Sequence, residues 1–367
     1  MKRVIVVGLV VLTLAIGSLL LRPVQGWLVA AWLPAFPQWS DSRATLAVGD
    51  RGEIHYPTST VFDLDVLLGG MQDAIPTTGL GYLALPDDAS DSHPVPAMVI
   101  LPGSGGIQPG REDGYAALLA EHGIASFIVE YYEPRGMTPD YAYTLRAGSV
   151  TDFDVVTDAY SALKLLSTHP GIDPDRIGVM GFSYGGMAVR HAIDARIHEA
   201  LAPATPGFAL FVDFYGPCFQ DIGTTRTNGA PLLALRGTAD ASNDLADCAR
   251  REAELRAIGV PVERHTFEGA GHAWENAEPQ RVVDSPYIVG CEIEYDAQGF
   301  ARLDGERITE IDPGTPRRER LAARFLSNRM LQPCVRWGYT VGRNEEAAQR
   351  GHAALLGFLE RHFRLVP

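Results

Sequence analysis

The sequence predicts an α/β fold in which a mostly parallel central sheet carries helices on both faces. Short β-rich runs alternate with helical patterns of about 10–15 residues along most of the chain. A serine framed by glycines follows one of these runs, and an aspartate and a histidine follow two later ones. Alternation of this kind builds a parallel sheet, because each connecting helix packs on a sheet face before the next strand begins.

The individual elements follow from two periodicities, alternation for strands and a repeat of about 3.6 residues for helices. Strand candidates are short apolar or β-rich runs at residues 79–85, 97–101, 124–131, 176–180, 208–214, 232–235 and 262–267. Helix candidates have apolar residues at helical spacing and cover residues 115–122, 154–168, 184–197, 244–258 and 345–362. Together they predict one domain over residues 46–367.

Residues 279–341 interrupt this alternation. Two short runs, 291–294 and 300–303, flank Asp296-Ala297-Gln298-Gly299, a sequence that favours a hairpin turn. We therefore expect an excursion from the main fold in this segment.

The first 26 residues have the layout of a signal peptide or an N-terminal membrane anchor. Lys2 and Arg3 precede an uncharged apolar run over residues 4–21. Basic residues before such a run stay in the cytoplasm, so we expect the rest of the chain to be exported, either periplasmic, secreted or attached to the membrane. The alternative is a buried core helix, which the lack of an amphipathic period disfavours. Residues 27–45 are predicted to be an irregular linker.

Composition limits the partners and cofactors. A net charge of −14 over 367 residues does not favour nucleic acid or anionic lipid as a partner. The four cysteines, Cys218, Cys248, Cys291 and Cys334, suggest two disulfides in an exported protein, with three connectivities open. None lies in a CxxC pair or a histidine-rich cluster, so we expect no structural zinc.

Ser183 is the predicted nucleophile. It stands in Gly181-Phe182-Ser183-Tyr184-Gly185, between a predicted strand and a predicted helix. This is the context that a nucleophile elbow requires, because the sharp turn exposes the serine hydroxyl above the sheet edge. The alternative is a turn that merely uses glycine and serine.

His272 and Asp240 are the predicted base and acid. A serine hydroxyl needs a base, and His272 lies in a glycine-rich loop just beyond the last predicted strand. Asp240 follows the preceding strand through a short glycine turn and would orient the histidine. Asp213, Asp244 and Asp247 remain competitors for that role. The order serine, aspartate, histidine is that of the α/β-hydrolase fold.

Backbone amides of Tyr184 and Ser104 are the predicted oxyanion donors. Tyr184 follows the nucleophile, and residues 102–106 form a glycine-rich loop after an early strand. Gly105 is the second candidate donor in that loop. The alternative interpretation is that residues 102–106 form a plain tight turn.

These motifs resemble the dienelactone hydrolase family of α/β-hydrolases over about residues 79–362. The resemblance is carried by PGSGG at 102–106, GFSYGG at 181–186, FYGPC at 214–218, LRGTAD at 235–240, GAGHAW at 269–274 and TVGRNEEA at 340–347. The enzymes that give the family its name use a cysteine nucleophile where this chain has Ser183. The resemblance therefore implies hydrolysis of ordinary esters rather than of dienelactone itself.

The resemblance also bears on the cysteines. FYGPC followed by Cys248 is similar to an exported branch of the family, in which these two cysteines face each other near the active site. Successive strands in such a fold are neighbours, which agrees with a Cys218–Cys248 pair. Cys291 and Cys334 enclose the excursion at its two ends and are expected to form the second pair.

We therefore expect a serine hydrolase that cleaves small-molecule carboxylic esters through an acyl-enzyme, with no metal or organic cofactor. A serine peptidase of related fold would use the same residues on an amide, but it usually carries an additional domain. A polyester hydrolase or lipase-like esterase would differ only in its pocket. A membrane-anchored binding protein with an inert site is the alternative from a different class.

Overall fold

An eight-stranded sheet forms the main body of the computed structural model, which describes residues 22–309 and 311–365. The strands, including those outside this sheet, are β1 (Gly52–Thr60), β2 (Ile75–Ala84), β3 (Val95–Leu101), β4 (Ala125–Glu130), β5 (Ile172–Phe182), β6 (Phe211–Phe214), β7 (Gln220–Asp221), β8 (Leu232–Gly237), β9 (Val262–Phe267), β10 (Arg281–Ile288), β11 (Ile293–Tyr295), β12 (Ala301–Leu303), β13 (Glu306–Arg307) and β14 (Val335–Val341). The helices are α1 (Arg22–Trp32), α2 (Leu64–Leu68), α3 (Glu112–Glu121), α4 (Tyr143–Ser149), α5 (Asp152–Leu166), α6 (Tyr184–His191), α7 (Ala195–Leu201), α8 (Leu245–Ala257), α9 (Arg317–Leu331) and α10 (Glu345–Phe363). Short 3-10 helices lie at Glu133–Arg135 and Gln332–Cys334.

The order of the main sheet is β1-β2-β4-β3-β5-β6-β8-β9, and it confirms the predicted α/β-hydrolase fold. β2 pairs antiparallel with both β1 and β4, and all later neighbours are parallel. Two apolar clusters cover the two faces of the sheet, and every residue of β3 is buried. Strands buried on both faces read as continuous apolar runs, which is why β3 was recognisable in the sequence.

One predicted helix is two helices. The pattern over residues 184–197 suggests a continuous helix, but α6 ends at His191 and α7 begins at Ala195. Asp194 starts the second helix, because its carboxylate accepts a hydrogen bond of 2.8 Å from the Arg196 amide. An aspartate inside an apparent helix can thus mark an N-cap.

The excursion builds its own small structures outside the main sheet. β10 and β14 form an antiparallel ribbon, and β11, β12 and β13 form a sheet with β7. Ile293 pairs with Leu303, as the predicted hairpin requires, and with Gln220 of β7. The excursion is therefore joined to the loop that follows β6.

The N-terminal prediction needs a correction. The linker predicted over residues 27–45 is irregular only from residue 33 onward, because α1 extends to Trp32. Gly26 lies against Glu319 of α9, and a Cβ at Gly26 would lie 2.6 Å from the Glu319 Cγ atom. This packing against a helix almost 300 residues away is invisible in the local sequence.

The predicted signal peptide or anchor over residues 1–26 lies mostly outside the described residues, so it stays a prediction. Within residues 22–309 and 311–365, no helix combines the length and apolar character that a bilayer crossing needs.

Both expected disulfides are present. Cys218 pairs with Cys248, and Cys291 pairs with Cys334. The second bridge spans 43 residues of the excursion, a segment whose own apolar cluster is small. Closing a loop of this length stabilises a fold by up to about 4 kcal/mol in the chain-entropy model.

We predict that non-reducing peptide mapping finds only the Cys218–Cys248 and Cys291–Cys334 peptides. Replacing Cys291 and Cys334 together with serine should lower the free energy of unfolding by up to about 4 kcal/mol, measured by denaturant titration. A Cys218–Cys291 peptide, or a serine variant as stable as the parent, would contradict this structure of the excursion.

Candidate active site

Ser183 occupies a sharp turn between β5 and α6. Its backbone has φ 53° and ψ −112°, a conformation that residues other than glycine rarely adopt. A Cβ at Gly181 would overlap the Gly185 carbonyl, and a Cβ at Gly185 would overlap the Leu101 carbonyl. Only glycine permits these approaches, so the motif places Ser183 at the N-terminus of a helix as predicted.

His272 lies in the loop that follows β9. Its amide donates to the Thr340 carbonyl over 2.7 Å, and its carbonyl accepts from the Gly342 amide over 3.0 Å. These two bonds form a bridge between His272 and Val341 at the end of β14. The excursion therefore helps to hold the histidine loop in place.

Asp240 is bonded to His272. The Nδ1 atom of His272 lies 2.7 Å from the Asp240 Oδ2 atom. Asp240 also accepts from the Ser242 amide over 3.0 Å and from the Asn243 side-chain amide over 2.9 Å. Burial raises the pKa of Asp240, but the His272 ring and the hydrogen bonds from Ser242 and Asn243 outweigh it and hold that pKa below its ordinary value. The carboxylate is therefore ionised at neutral pH.

Two other candidate acids, Asp244 and Asp247, have different partners, and so does His265 of β9. Asp244 caps α8 by accepting from the Ala246 amide over 2.8 Å. Asp247 pairs with Arg250 over 2.8 Å, and His265 lies 2.8 Å from a Glu263 carboxylate oxygen. None of these groups contacts His272.

Asp213 holds a buried charge cluster instead. Its Oδ2 atom lies 2.6 Å from both Arg190 and Arg236, and its Oδ1 atom accepts from the Gly216 amide over 2.8 Å. Burial raises the pKa of Asp213, but the two guanidinium groups outweigh it and hold the pKa below its ordinary value. Asp213 thus fixes the turn after β6.

Ser183 is not hydrogen-bonded to His272. Within the described part of the chain, neither the Ser183 hydroxyl nor the His272 Nε2 atom has a hydrogen-bond partner, while Nδ1 is bonded to Asp240. Nε2 is the ring atom left available to take a proton.

The predicted oxyanion loop lies against the predicted nucleophile. A Cβ at Gly103 would lie 3.3 Å from the Ser183 Cβ. Tyr131 donates to the Gly103 carbonyl, and Tyr132 donates to the Ser104 carbonyl over 2.7 Å. These bonds fix the loop through its carbonyls and do not involve the amides of Ser104 and Gly105.

The amides of Ser104 and Tyr184 are both available. Tyr184 is the first residue of α6, where an amide has no acceptor within the helix. Across residues 22–309 and 311–365, no acceptor is bonded to the amides of Ser104, Gly105 or Tyr184. Ser104 and Gly105 both stay candidates for the second donor.

Two supporting residues, Ser242 and Asn243, were missed in the sequence. Ser242 and Asn243 bond to Asp240, and Asn243 also donates to the Tyr215 carbonyl over 2.7 Å. The Tyr215 ring lies 4.6 Å from the His272 ring. Polar residues two and three positions after an aspartate are a turn signal that could have identified Ser242 and Asn243.

Metal chemistry has no candidate ligand set in the described residues. No group of three or more histidine, cysteine, aspartate or glutamate side chains there is arranged to hold an ion.

Comparison with known proteins gives one family match. The model described as the dienelactone hydrolase family matches residues 80–302, more than half of the chain. A Bradyrhizobium protein named probable 2-oxo-3-(5-oxofuran-2-ylidene)propanoate lactonase is 25% identical over 209 residues, covering 53% of this chain and 78% of that protein. Thermogutta terrifontis esterase 2 phosphorylated by paraoxon is 18% identical, with a TM-score of 0.43, and the match covers 53% of this chain and 79% of that one. The propionate-bound form of the same esterase gives the same identity and TM-score, with 80% of its chain covered.

We predict that Asp213 stabilises the fold and that Asp240 acts in catalysis. Asp213→Asn should lower the free energy of unfolding by about 3–5 kcal/mol, because it removes the anion that two buried guanidinium groups share. Asp240→Asn should instead lower kcat by about 10⁴-fold with a smaller stability loss, because the amide cannot fix the required tautomer of His272.

Asp244→Asn is the matched control. Asparagine caps a helix as well as aspartate does, so this variant should keep parental stability and turnover. Denaturant titration and initial rates on a p-nitrophenyl ester measure all three proteins. An Asp240→Asn protein with parental turnover would exclude Asp240 as the orienting acid.

Proposed function

The chain belongs to the dienelactone hydrolase family and is a carboxylic ester hydrolase, and we propose that it works by covalent catalysis at Ser183. The observation that carries this proposal is the strained turn that holds Ser183 after β5, on the same parallel sheet whose later strands are followed by the bonded pair of His272 and Asp240. The lactonase relative acts on a cyclic ester according to its name, which agrees with this reaction class.

Acylation begins when the Ser183 oxygen attacks the ester carbonyl carbon and His272 Nε2 takes the hydroxyl proton. Asp240, at 2.7 Å from Nδ1, stabilises the imidazolium that forms. The carbon–oxygen bond to the alcohol then breaks, and His272 returns the proton to the leaving alkoxide. The acyl group stays on Ser183 as an ester.

Deacylation repeats these steps with water. His272 takes a proton from water as the hydroxide oxygen attacks the acyl carbon, and the Ser183 oxygen leaves with the proton that His272 gives back. The carboxylic acid is released, and the site returns to its starting protonation. No redox change and no metal enter this cycle.

The oxyanion of each tetrahedral intermediate needs two fixed donors. The Tyr184 amide, at the first turn of α6, and an amide of the 102–106 loop are available for it. Tyr131 and Tyr132 hold the loop by its carbonyls, so the donors are oriented before the reaction starts. Losing one such donor typically costs about 3–4 kcal/mol of transition-state stabilisation.

We predict that Ser183→Ala and His272→Ala each lower kcat by about 10⁴-fold or more. The two residues act as one unit, so the double variant should be little worse than either single variant. Turnover of p-nitrophenyl acetate measures the effect, and circular dichroism confirms that each variant is folded. Near-parental turnover by the Ser183→Ala protein would refute the mechanism.

We also propose that the domain is exported. The support is the basic and apolar sequence of residues 1–26 together with two disulfides, which persist in oxidising compartments. Whether the N-terminal segment is cleaved or remains as an anchor is decided by the mass of the mature protein.

We expect the full chain, expressed in a bacterium with a periplasm, to fractionate with the periplasm or the membrane. The control carries Leu12→Asp and Leu14→Asp, which interrupt the apolar run and should keep the protein in the cytoplasm. Recovery of the parental protein in the cytoplasm with four alkylatable thiols would contradict export.

A further inference from the structure

A cavity of about 560 Å³ lies between the main body and the excursion. Tyr184 and Met187 of α6 line it on one side, and Tyr287, Ile293 and Ile308 of the excursion line it on the other. Pockets for small organic ligands are of this size, roughly 300–1,000 Å³. The excursion therefore encloses a ligand-sized space above the helix that begins at the nucleophile elbow.

This cavity adjoins both halves of the candidate active site. Tyr143 lines it, and the Tyr143 hydroxyl lies 2.8 Å from the Ser104 Oγ atom in the oxyanion loop. On the other side, the Tyr287 ring lies 5.6 Å from the Tyr339 ring, which in turn lies 5.5 Å from the His272 ring. A group attached to an ester at Ser183 has a short path into the cavity.

The wall of the cavity carries no net formal charge. Its charged residues are two aspartates and two arginines, Asp63, Asp152, Arg320 and Arg324. Arg320 pairs with Asp63 over 2.9 Å, so neither charge is left for a ligand. Most of the remaining wall is aromatic or aliphatic. Such a surface favours an uncharged apolar group, because a charged one would lose its hydration without gaining a counter-ion.

The excursion is held over the cavity by contacts with the main body. Arg320 of α9 pairs with Asp65 of α2 over 2.6 Å, and both side chains are buried. β11 pairs with β7, and the Ile293 amide donates to the Phe219 carbonyl over 2.8 Å. The cavity is thus largely preformed, so its fixed volume can select ligands by size.

We propose that this cavity binds a bulky, uncharged, apolar group of the ester, on either its acyl or its alcohol side. The inference rests on the proposed esterase function and names its substrate class. At about 30 Å³ for each water molecule in the liquid, the cavity has the volume of about 19 waters, which is more than an eight-carbon chain needs. The excursion is then the structure that determines specificity.

Two substrate series test the proposal on the intact protein. p-Nitrophenyl esters from acetate to laurate vary the acyl group, and acetates of ethanol, butanol, octanol and dodecanol vary the alcohol, with acid release followed by pH-stat. In one series kcat/KM should rise with chain length, by up to about fourfold per methylene. The series that shows this rise identifies the group that occupies the cavity.

Filling the cavity should abolish that preference. Ala147→Phe on α4 and Ala301→Phe on β12 each place a ring into it from opposite sides. Each should lower the octanoate-to-acetate ratio of kcat/KM, or the matching ratio for alcohols, at least tenfold. Val282→Phe is the matched control, because Val282 lies on the excursion but is 70% exposed and outside the cavity wall, so the ratio should not change.

The outcomes separate the two proposals. The cavity assignment is overturned if the protein hydrolyses short esters but shows no size preference in either series, and if both cavity-filling variants keep the parental ratios of kcat/KM. The esterase function would still stand in that case. Ester turnover that survives Ser183→Ala overturns the proposed function itself. A preference for carboxylate-bearing esters over neutral ones of equal size also contradicts the inference.

Discussion

Close backbone approaches around residues 181–185 determine the geometry on which the whole site depends. Gly181 lies against the backbone of Gly185, and Gly185 lies against the carbonyl of Leu101 at the end of β3. The same contacts force Ser183 into its strained turn and bring the loop after β3 beside it. Because one set of contacts positions the proposed nucleophile and the proposed oxyanion loop together, a larger side chain at either glycine would disturb both.

The proposed acid and the proposed base are supported from two different parts of the chain. Asp240 is held by Ser242 and Asn243, and the Asn243 Oδ1 atom lies 3.6 Å from the sulfur of Cys248, which is bonded to Cys218. The backbone of His272 is held by β14, the strand through which the chain leaves the excursion. The excursion therefore contributes to the site twice, as a support for the histidine loop and as the wall of the adjoining cavity.

The sequence was informative where function depends on local order along the chain. Ser183, Asp240 and His272 each follow a strand, and the carboxyl ends of parallel strands meet at one edge, so the placement of all three residues at that edge was predictable. The cavity and the helix α9 were not, because they depend on contacts such as that of Arg320 with Asp65, 255 residues apart. Helix α1 was missed for the same reason, since it packs on α9.

The proposed mechanism requires Ser183 to be a nucleophile that His272 activates. A fluorophosphonate probe tests it directly, because phosphonylation requires an activated hydroxyl and leaves a stable adduct that peptide mass spectrometry can locate. We expect one adduct per chain, on the peptide that contains Ser183, and a labelling rate at least about a thousandfold lower in His272→Ala. An adduct on another residue, or no adduct on a folded protein that still cleaves esters, would contradict it.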